Sequence, residues 1–552
     1  GSANETLAAM DIDTNAEEVT IYPSWKHESY EDYGAPLEAE FHNLWERGQH
    51  HNTITIPVPS AWYTDMATAA AKRGKPDLDF EAKIAKQQYF DIQKLYNENL
   101  NIPVIPEFLG GQKFLIKEHQ VGALNKWQAN SYQGILKLAT GSGKTITAIY
   151  GMVKLYNSHS RLAVVVAVPY IGLAEQWVKE LALFGIAPHK CFESKKGWLN
   201  RLKTDIQAYT SGAKNFLAIV VVNKTLVGST FRDLISRLPS EDLLFVGDEC
   251  HRHGSQKTFD ALPNADLRMG LSATPFRDDD DEIDTPFPNE NKVRLIKYYG
   301  DIVDTYTLAD AINDGVLTPY EYFICSVRLT IDEQEIYEEL SKKIRNILSN
   351  SGVIHKDALS MLCGQRSRLL GGAENKLAKL NELVAELPSE SRNHSLFYCA
   401  EGSTDNNCKH INLVSKILHK NGWRTSQFTA GENSMERAGL LAAFADENID
   451  SLVSMKVLDE GIDIPACRSA FILASTRNPR QYVQRRGRIL RKSAGKTIAK
   501  IYDFVIFPAI GAEDTSAGKN LVKAELERID DFMLLASNKS EAHKTLDKMG
   551  IR

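Results

Sequence analysis

Two carboxylates, a thiol and two imidazoles lie within six consecutive positions of the segment DECHRHGS, residues 248–255. Asp, Cys and His are all ligands of transition metals, so these residue types alone are compatible with a zinc site. The chain offers no second ligand cluster at a sensible spacing, however, and it contains no C-x-x-C pair. The segment directly follows the apolar run LLFVG (243–247), which predicts that the two carboxylates stand at the end of a buried strand.

A second segment with chemistry is LATGSGKTITAIY, residues 138–150, which lies between a predicted strand and a predicted helix. Glycines in such a loop expose successive backbone N–H groups, which cradle phosphates at the helix N-terminus. Lys144 is predicted to reach the β- and γ-phosphate oxygens and Thr145 to hold Mg²⁺. The predicted nucleotide-binding loop also contains Thr140, Gly141, Ser142 and Gly143. The strict pattern has glycine where this chain has Leu138.

A phosphate-binding loop needs an acidic partner at the end of another buried strand. DECH supplies it: Asp248 is placed to bind the metal, and Glu249 to activate water against the γ-phosphate. We therefore predict a site for ATP and Mg²⁺, and interpret the opening segment as two catalytic carboxylates rather than a zinc site.

The elements that must position these groups are short aliphatic runs separated by stretches with helical spacing. Runs rich in Val and Ile, such as LAVVVAV (162–168) and LAIVVV (217–222), are typical of strands buried on both faces of a parallel sheet. Similar apolar runs occur at SLFYCA (395–400) and IAKIYDFVIF (498–507). Alternation with helices predicts an α/β fold with two parallel-sheet domains in tandem.

The predicted organisation has four parts. An acidic N-terminal accessory region covers 1–110, the first α/β domain 111–300, the second 301–512, and a C-terminal helical tail 513–552. The second domain contains a helical insert at 332–388, where Ile336, Leu340, Ile344 and Leu348 follow amphipathic spacing. The tail has a similar apolar stripe, formed by Val522, Leu526, Ile529 and Met533. It predicts a helix that packs back on a domain.

Charge and composition restrict the class of protein. Residues 1–110 carry 18 acidic and 8 basic side chains, a net charge of −10, so the remainder carries +4 of the total of −6. A mildly basic body permits a phosphate-binding track. The longest apolar runs fall short of the roughly 18 residues that a membrane span needs, so no membrane association is expected. Seven scattered cysteines favour reduced thiols and a cytoplasmic location. The opening GSANETLAAMDID has no signal-peptide pattern, and its Gly-Ser start looks like a leftover of recombinant expression.

Five segments in this order resemble the motifs of superfamily 2 helicases and translocases. They are LATGSGKT, DECH, GLSATPFR (270–277), KVLDEGIDIP (456–465) and QYVQRRGRILR (481–491). They span some 350 residues, which makes chance agreement negligible. The chain looks most like the branch of XPB-type repair helicases, the phage enzyme UvsW and the motor subunits of restriction systems, rather than the DEAD-box RNA branch.

The resemblance implies two RecA-like domains and assigns roles to further residues. Gln120 would read the adenine, although Lys117-Glu118-His119 replaces the usual Arg-Pro-Tyr before it. His251, Ser272 and Thr274 would couple hydrolysis to domain closure. Gly461 and Asp463 would touch ribose and nucleic acid, Arg488 and Arg491 would act as arginine fingers, and Gln484 would order the attacking water. The nucleic-acid track would include Pro169, Thr225, Arg277 and Gly402, through backbone contacts without sequence specificity.

The function implied is an ATP-dependent DNA helicase or double-strand translocase, acting in repair, recombination, restriction or phage defence. Its expected partner is DNA in duplex, forked or single-stranded form, and DNA is favoured over RNA. A protein partner is also expected for the N-terminal region. Two alternatives stay open: an RNA helicase, and a nucleotide-controlled assembly module of a defence or restriction complex that acts without unwinding.

Two other segments contain residue types that are found in metal sites. The acidic run 278–282 is interpreted as a solvated loop. PDLDFEAK (76–83) has the residues of a PD-ExK nuclease in Asp77, Glu81 and Lys83, but only three residues separate Asp77 from Glu81 and the surroundings favour a helix. We therefore predict no nuclease.

Overall fold

The computed structural model describes residues 49–50, 53–54, 103–109, 112–276, 290–349, 356–399, 410–429, 432, 434–455, 467–474, 479–493 and 495–548. The chain divides into two units, residues 1–98 and 99–552. In the first unit the described part is an antiparallel pair, β1 (Gln49–His50) and β2 (Thr53–Ile54). The hypotheses on residues 76–83 and 278–282 lie outside the described residues.

The second unit begins with an antiparallel pair and continues into a seven-stranded parallel sheet in the order β11-β5-β10-β9-β6-β8-β7. The pair is β3 (Phe108–Leu109) and β4 (Gln112–Lys113). The strands of the sheet are β5 (Gln133–Leu138), β6 (Leu162–Val168), β7 (His189–Cys191), β8 (Phe216–Val222), β9 (Leu243–Asp248), β10 (Leu267–Ser272) and β11 (Ile302–Tyr306). The helices are α1 (Glu118–Ala129), α2 (Lys144–His159), α3 (Ile171–Ala182), α4 (Lys195–Thr210), α5 (Asn223–Leu226), α6 (Ser229–Ile235), α7 (Gln256–Phe259), α8 (Glu290–Tyr299) and α9 (Leu308–Asn313).

Strand β6 shows why these runs form a two-sided core. All seven residues of LAVVVAV are buried. Val164, Val166 and Val168 join one apolar cluster, whereas Ala163, Val165 and Ala167 join another. Because side chains alternate between the faces of a strand, an unbroken aliphatic run is stable only where helices cover both faces.

The sheet order brings the predicted chemistry to one edge. The phosphate-binding loop follows β5, Ser272 ends β10 and Asp248 ends β9, and these three parallel strands are neighbours. The carboxyl ends of parallel strands lie on the same edge of a sheet, where α/β proteins bind ligands.

A second sheet of six parallel strands follows in the order β12-β17-β16-β13-β15-β14. Its strands are β12 (Tyr320–Arg328), β13 (Ser395–Tyr398), β14 (Thr425–Phe428), β15 (Ser451–Ser454), β16 (Ser469–Ile472) and β17 (Ala499–Phe507). Its helices are α10 (Ile331–Ser349), α11 (Lys356–Gly371), α12 (Glu374–Glu386), α13 (His410–Lys420), α14 (Ser434–Ala445), α15 (Pro479–Ile489), α16 (Ser516–Leu534) and α17 (Lys539–Lys548). The prediction of two parallel-sheet α/β domains is confirmed.

Two details differ from the sequence prediction. The first sheet extends to Tyr306, past the predicted boundary at 300, because β11 pairs with β5. In the helical insert, formed by α10, α11 and α12, Ile336 is 47% exposed, and the buried face of α10 instead carries Gln334, Tyr337 and Ile344. The polar Gln334 is drawn inward because its Oε1 accepts a hydrogen bond from the backbone N–H of Ala509, at 3.2 Å.

The tail helix α16 packs against β17, and it buries Ile529 and Met533 as predicted. It also buries charge: Arg528 donates to Glu525 at 2.8 Å and lies 3.2 Å from Asp503 of β17. In the part of the chain that the structure describes, no helix has both the length and the apolar character needed to cross a membrane.

Candidate active site

The loop between β5 and α2 has the backbone that its glycines predict. Gly141 and Gly143 have φ angles of +86° and +90°, in the left-handed region that favours glycine. Ser142 is buried and donates to the carbonyl of Ala139 at 2.7 Å, which closes the loop on itself. The loop thus turns directly into α2, whose first residue is Lys144.

The structure explains why the chain has Leu138 where the strict phosphate-binding pattern has glycine. Leu138 is the last residue of β5, and its side chain is fully buried in the apolar core beneath the loop. Its carbonyl oxygen lies 3.5 Å from Nζ of Lys144. A leucine therefore occupies this position as a core residue, and the turn itself is made by the two glycines that follow.

Gln120 connects α1 to the phosphate-binding loop. Its Nε2 donates to the carbonyl of Gly143 at 3.2 Å, and its Oε1 accepts from the backbone N–H of Lys117 at 3.0 Å. The neighbouring His119 stacks on Tyr306 with ring centroids 3.9 Å apart, and its Nε2 lies 3.1 Å from the carbonyl oxygen of Ser142. The residues before Gln120 thus pack on the loop although their types differ from the family pattern.

Asp248 is held by two hydrogen bonds at the end of β9. Its Oδ2 accepts from Nε1 of Trp177 at 2.8 Å, and its Oδ1 accepts from the backbone N–H of Glu249 at 2.9 Å. Trp177 lies on α3 and is fully buried. Its role was not predicted from the sequence, because the spacing along the chain does not show that an indole N–H from α3 reaches β9.

Glu249 has a left-handed backbone, with φ and ψ both 49°. For a residue other than glycine this conformation costs on the order of 1–3 kcal/mol, and such strained residues cluster at functional sites. Here it separates β9 from the short 3-10 helix Cys250–Gly254.

The two carboxylates differ in their electrostatics. Burial and the adjacent Glu249 raise the pKa of Asp248, against the charge of Lys144. Burial alone would also raise the pKa of Glu249, but the His251 ring, 3.3 Å from Oε2, and the charges of Lys144 and Arg488 outweigh it and lower that pKa. Glu249 is therefore the more acidic of the two carboxyl groups.

His251 links Glu249 to β10. Its Nδ1 lies 3.3 Å from Oγ of Ser272 as well as 3.3 Å from Oε2 of Glu249, and Ser272 Oγ in turn accepts from the backbone N–H of Thr274 at 3.1 Å. The structure thus brings together the three residues that the sequence predicts to couple hydrolysis to closure.

A pocket of about 470 Å³ gathers groups from both sheets. From the first domain it is lined by Lys144, Thr145, Asp248 and Glu249, and from the second by Arg488, Arg491 and Lys492. Lys492 was not predicted from the sequence. Gln484 lies in the same helix, α15, but its side chain is outside the described residues.

The connection between the domains explains how the arginines reach the pocket. Leu317 and Arg491 form an isolated antiparallel bridge, and the backbone N–H of Thr318 donates to the carbonyl of Leu490 at 2.8 Å. The segment entering the second domain is therefore paired with the end of the arginine helix.

The two domains approach each other closely at Gly487. A Cβ atom there would lie 2.5 Å from Cβ and 2.9 Å from the carbonyl oxygen of Thr140 in the phosphate-binding loop. Both distances are shorter than real Cβ contacts, so glycine is needed for this approach of α15 to the loop.

The predicted nucleic-acid residues are only partly described. Pro169 follows β6 and Thr225 lies in α5 just after β8, and these two strands pair in register from Leu162 with Phe216 to Val168 with Val222. Both residues therefore stand at the carboxyl edge of the first sheet. Arg277, Gly402, Gly461 and Asp463 lie outside the described residues.

The side chains considered for zinc differ in their contacts. Cys250 is buried in an apolar cluster, His251 faces Glu249 and Ser272, and His253 contacts Tyr299 and Asn223. Among the described residues, no group of three or more His, Cys, Asp or Glu side chains lies together in a way that could hold a metal ion.

Two protein-family descriptions match parts of the chain. Residues 113–277 match the family described as the Type III restriction enzyme, res subunit, and residues 375–493 match the helicase conserved C-terminal domain. The chain is 24% identical to the DNA 3'-5' translocase XPB2 of Sulfurisphaera tokodaii, covering 74% of this chain and 85% of that protein. It is 21% identical to the ATP-dependent DNA helicase uvsW of Enterobacteria phage T4, covering 72% and 71%.

A solved structure shares the fold. The ATP-dependent Type ISP restriction-modification enzyme LlaBIII bound to DNA aligns with a TM-score of 0.52 and 17% identity, over 78% of this chain and 31% of that chain.

Fold and site together define an ATP-using motor protein with two RecA-like domains. The chain belongs to superfamily 2 of the helicases and translocases.

Proposed function

We propose that this chain is a DNA-stimulated ATPase that moves along DNA as a translocase or helicase. One observation supports this most directly: Lys144, Asp248 and Glu249 of the first domain line one pocket with Arg488 and Arg491 of the second. Hydrolysis at such a pocket depends on the relative position of the domains, which is the coupling that a motor requires. The names of the relatives above support DNA as the track.

At the ATP site we assign each residue a separate role. The loop amides from Thr140 to Thr145 and the ammonium of Lys144 bind the phosphates. Glu249 accepts a proton from the attacking water, because its carboxylate is ionised and lines the pocket. His251 orients this carboxylate from 3.3 Å away.

The residues present also fit Mg²⁺. Asp248 and Thr145 line the same pocket and offer the oxygen ligands that this hard cation prefers. Two hydrogen bonds fix the Asp248 carboxylate, which is the support that metal-site carboxylates usually receive. When bound, Mg²⁺ would neutralise charge on the β- and γ-phosphates.

The arginines make hydrolysis conditional on closure. Arg488 and Arg491 belong to the second domain and enter the pocket beside Glu249. Their guanidinium groups would stabilise the charge that develops on the transferred phosphoryl group. When the domains separate, these two charges leave the pocket and hydrolysis stops.

The decisive test is ATP hydrolysis measured in parallel with single-stranded DNA, duplex DNA, forked DNA and RNA. We expect DNA to raise the rate and added salt to reduce the stimulation, because backbone binding releases counterions. Lys144→Ala, which should lose nucleotide binding, gives the background. A rate indifferent to all four nucleic acids would instead favour a nucleotide-controlled assembly module, and selective stimulation by RNA an RNA helicase.

Trp177→Phe should weaken the use of Mg²⁺. The substitution keeps a ring on α3 but removes the N–H that holds Asp248 Oδ2 at 2.8 Å. Loss of such a supporting hydrogen bond typically costs about 10- to 100-fold in metal affinity or activity. We expect a rise of that order in the Mg²⁺ concentration for half-maximal ATP hydrolysis. Trp198→Phe, on the opposite face of the sheet, is the matched control, and equal Mg²⁺ dependence in the two variants would contradict the assignment.

Gly487→Ala should impair turnover more than nucleotide binding. The added methyl group would meet Thr140 at 2.5 Å, so the domains could not approach as closely. Overpacking of this kind costs about 1–3 kcal/mol, which corresponds to about a 5- to 150-fold lower rate from the closed state. The rate and the binding of a fluorescent ATP analogue are measured together. Gly439→Ala, in α14 with no atom within 4 Å of the added Cβ, is the control; parent-like turnover in Gly487→Ala would refute this role.

A further inference from the structure

His253, two residues beyond the DECH segment, is fully buried and joins three elements of the first domain. Its Nδ1 lies 2.7 Å from the hydroxyl of Tyr299 on α8, and its Nε2 lies 3.0 Å from Oδ1 of Asn223 on α5. Its own backbone belongs to the 3-10 helix Cys250–Gly254 that follows Glu249. The phosphate-binding residues and the arginines of the second domain are not members of this network.

The chemistry of the partners defines the protonation state of the ring. The amide oxygen of Asn223 only accepts, so Nε2 carries the proton and donates it. Nδ1 is then the acceptor for the Tyr299 hydroxyl. Burial lowers the pKa of His253 to about 3, with the nearby His251 acting in the same direction, so the ring is neutral at physiological pH. Both ring nitrogens thus have a hydrogen-bond partner, which makes this a directional connection.

One end of the network is anchored beneath the catalytic carboxylates. Gly247 immediately precedes Asp248 in β9, and a Cβ atom at Gly247 would lie 2.0 Å from the Tyr299 hydroxyl and 2.9 Å from the His253 ring. The two rings therefore rest on the backbone of β9 itself. Any displacement of His253 must move either this strand end or the 3-10 helix that begins after Glu249.

The other end is anchored beside the predicted nucleic-acid track. Asn223 is the first residue after β8, and Thr225, which we expect to contact the nucleic-acid backbone, lies two residues further in the same short helix. Strand β8 pairs with β6, whose end carries Pro169, and β6 pairs with β9. In the sheet, β6 lies between β8 and β9. The hydrogen bond between His253 and Asn223 therefore links the segments that follow these two strands directly, without passing through β6.

We infer that His253 is a positioning residue that couples nucleic-acid contact at Asn223–Leu226 to the alignment of Asp248 and Glu249. This inference rests on the proposed function, because it assigns a route for stimulation by nucleic acid. A neutral, fully hydrogen-bonded histidine is suited to this role because it fixes the distance between the two elements without adding charge next to the carboxylates.

The test compares His253→Leu, which removes both hydrogen bonds, with His253→Gln, whose amide N–H can replace the Nε2 donor to Asn223. Asn223→Ala removes the acceptor, and Tyr299→Phe removes the hydroxyl while keeping the ring against Gly247. His189→Leu is the matched control, because His189 lies on the edge strand β7 and pairs with Asp205. For each variant we would measure the maximal DNA-stimulated ATPase rate, the DNA concentration for half-maximal stimulation and the melting temperature.

We expect His253→Leu and Asn223→Ala each to lower the maximal stimulated rate by roughly 2- to 30-fold, the range of coupling changes seen for positioning residues. The half-maximal DNA concentration should change much less than the rate. The double variant should be no slower than the slower single variant, because both substitutions break the same bridge. His253→Gln should recover most of the rate, and His189→Leu should match the parent.

Three results would overturn the inference while leaving the proposed function intact: full stimulation in His253→Leu, additive losses in the double variant, or a loss that follows melting temperature across all variants including His253→Gln and Tyr299→Phe. If His253→Leu does not fold, the maximal DNA-stimulated rate of Asn223→Ala decides the question. A rate below those of His253→Gln and Tyr299→Phe would support the inference, and a rate equal to theirs would overturn it. A parent enzyme that no nucleic acid stimulates would refute the proposed function, and the inference with it.

Discussion

Replacing Glu249 with glutamine is expected to slow ATP hydrolysis by about 10²- to 10⁴-fold, the usual contribution of a general base, while ATP stays bound. Glutamine keeps the size of the side chain but cannot accept the proton of the attacking water. The phosphate-binding groups, Lys144 and the loop from Thr140 to Thr145, are unchanged by the substitution. The variant should therefore accumulate in an ATP-bound, closed state.

The measurement pairs steady-state ATP hydrolysis with equilibrium binding of a fluorescent ATP analogue. Glu241→Gln is a suitable control because Glu241 is exposed in the 3-10 helix before β9, away from the pocket. Turnover of Glu249→Gln at the parent rate would show that another group activates the water. Loss of nucleotide binding together with turnover would show instead that Glu249 holds the site together.

Arg488→Ala is expected to have an effect of similar or greater size, about 10³- to 10⁵-fold on the hydrolysis rate, as for arginine fingers generally. ATP binding should persist because the phosphate-binding groups belong to the first domain, whereas Arg488 comes from α15 of the second. Arg488→Lys should restore little, since an ammonium is a point charge without the planar fork of the guanidinium.

Single-turnover hydrolysis of bound ATP separates this defect from slow product release. Arg345→Ala, an exposed arginine of α10 that donates to Ser516, serves as the control for loss of one positive charge in the second domain. A single-turnover rate within a few-fold of the parent, taken as about 1 kcal/mol or less, would remove Arg488 from the hydrolysis step.

The two experiments also separate the domains in function. In the proposed mechanism, Glu249 acts from the first domain and Arg488 from the second. Glu249→Gln should therefore retain closure on ATP, whereas Arg488→Ala should lose one of the contacts that favour it. Fluorescence energy transfer between labels on the two domains would report this difference. Equal closure in both variants would argue that Arg488 acts on the chemistry alone.

Local sequence determined much of this protein. Aliphatic runs such as LAVVVAV can be stable only between covered faces, so they predict parallel strands without knowledge of their neighbours. Gly141 and Gly143 specify their own left-handed backbone, and Asp248 and Glu249 directly follow an apolar run. In each case the physical cause acts within a few residues, which is why the phosphate-binding loop and the strand ends could be placed from the sequence.

Tertiary structure alone decided which distant groups meet these residues. The indole of Trp177 reaches Asp248 because β6 and β9 are paired in the sheet, and the bridge from His253 to Asn223 exists because β8 lies beside β6. Glycine is required at position 487 because a Cβ atom there would clash with Thr140, a residue of the other domain. Strand order and domain contact depend on the balance of packing over the whole chain, so spacing along the sequence cannot show them.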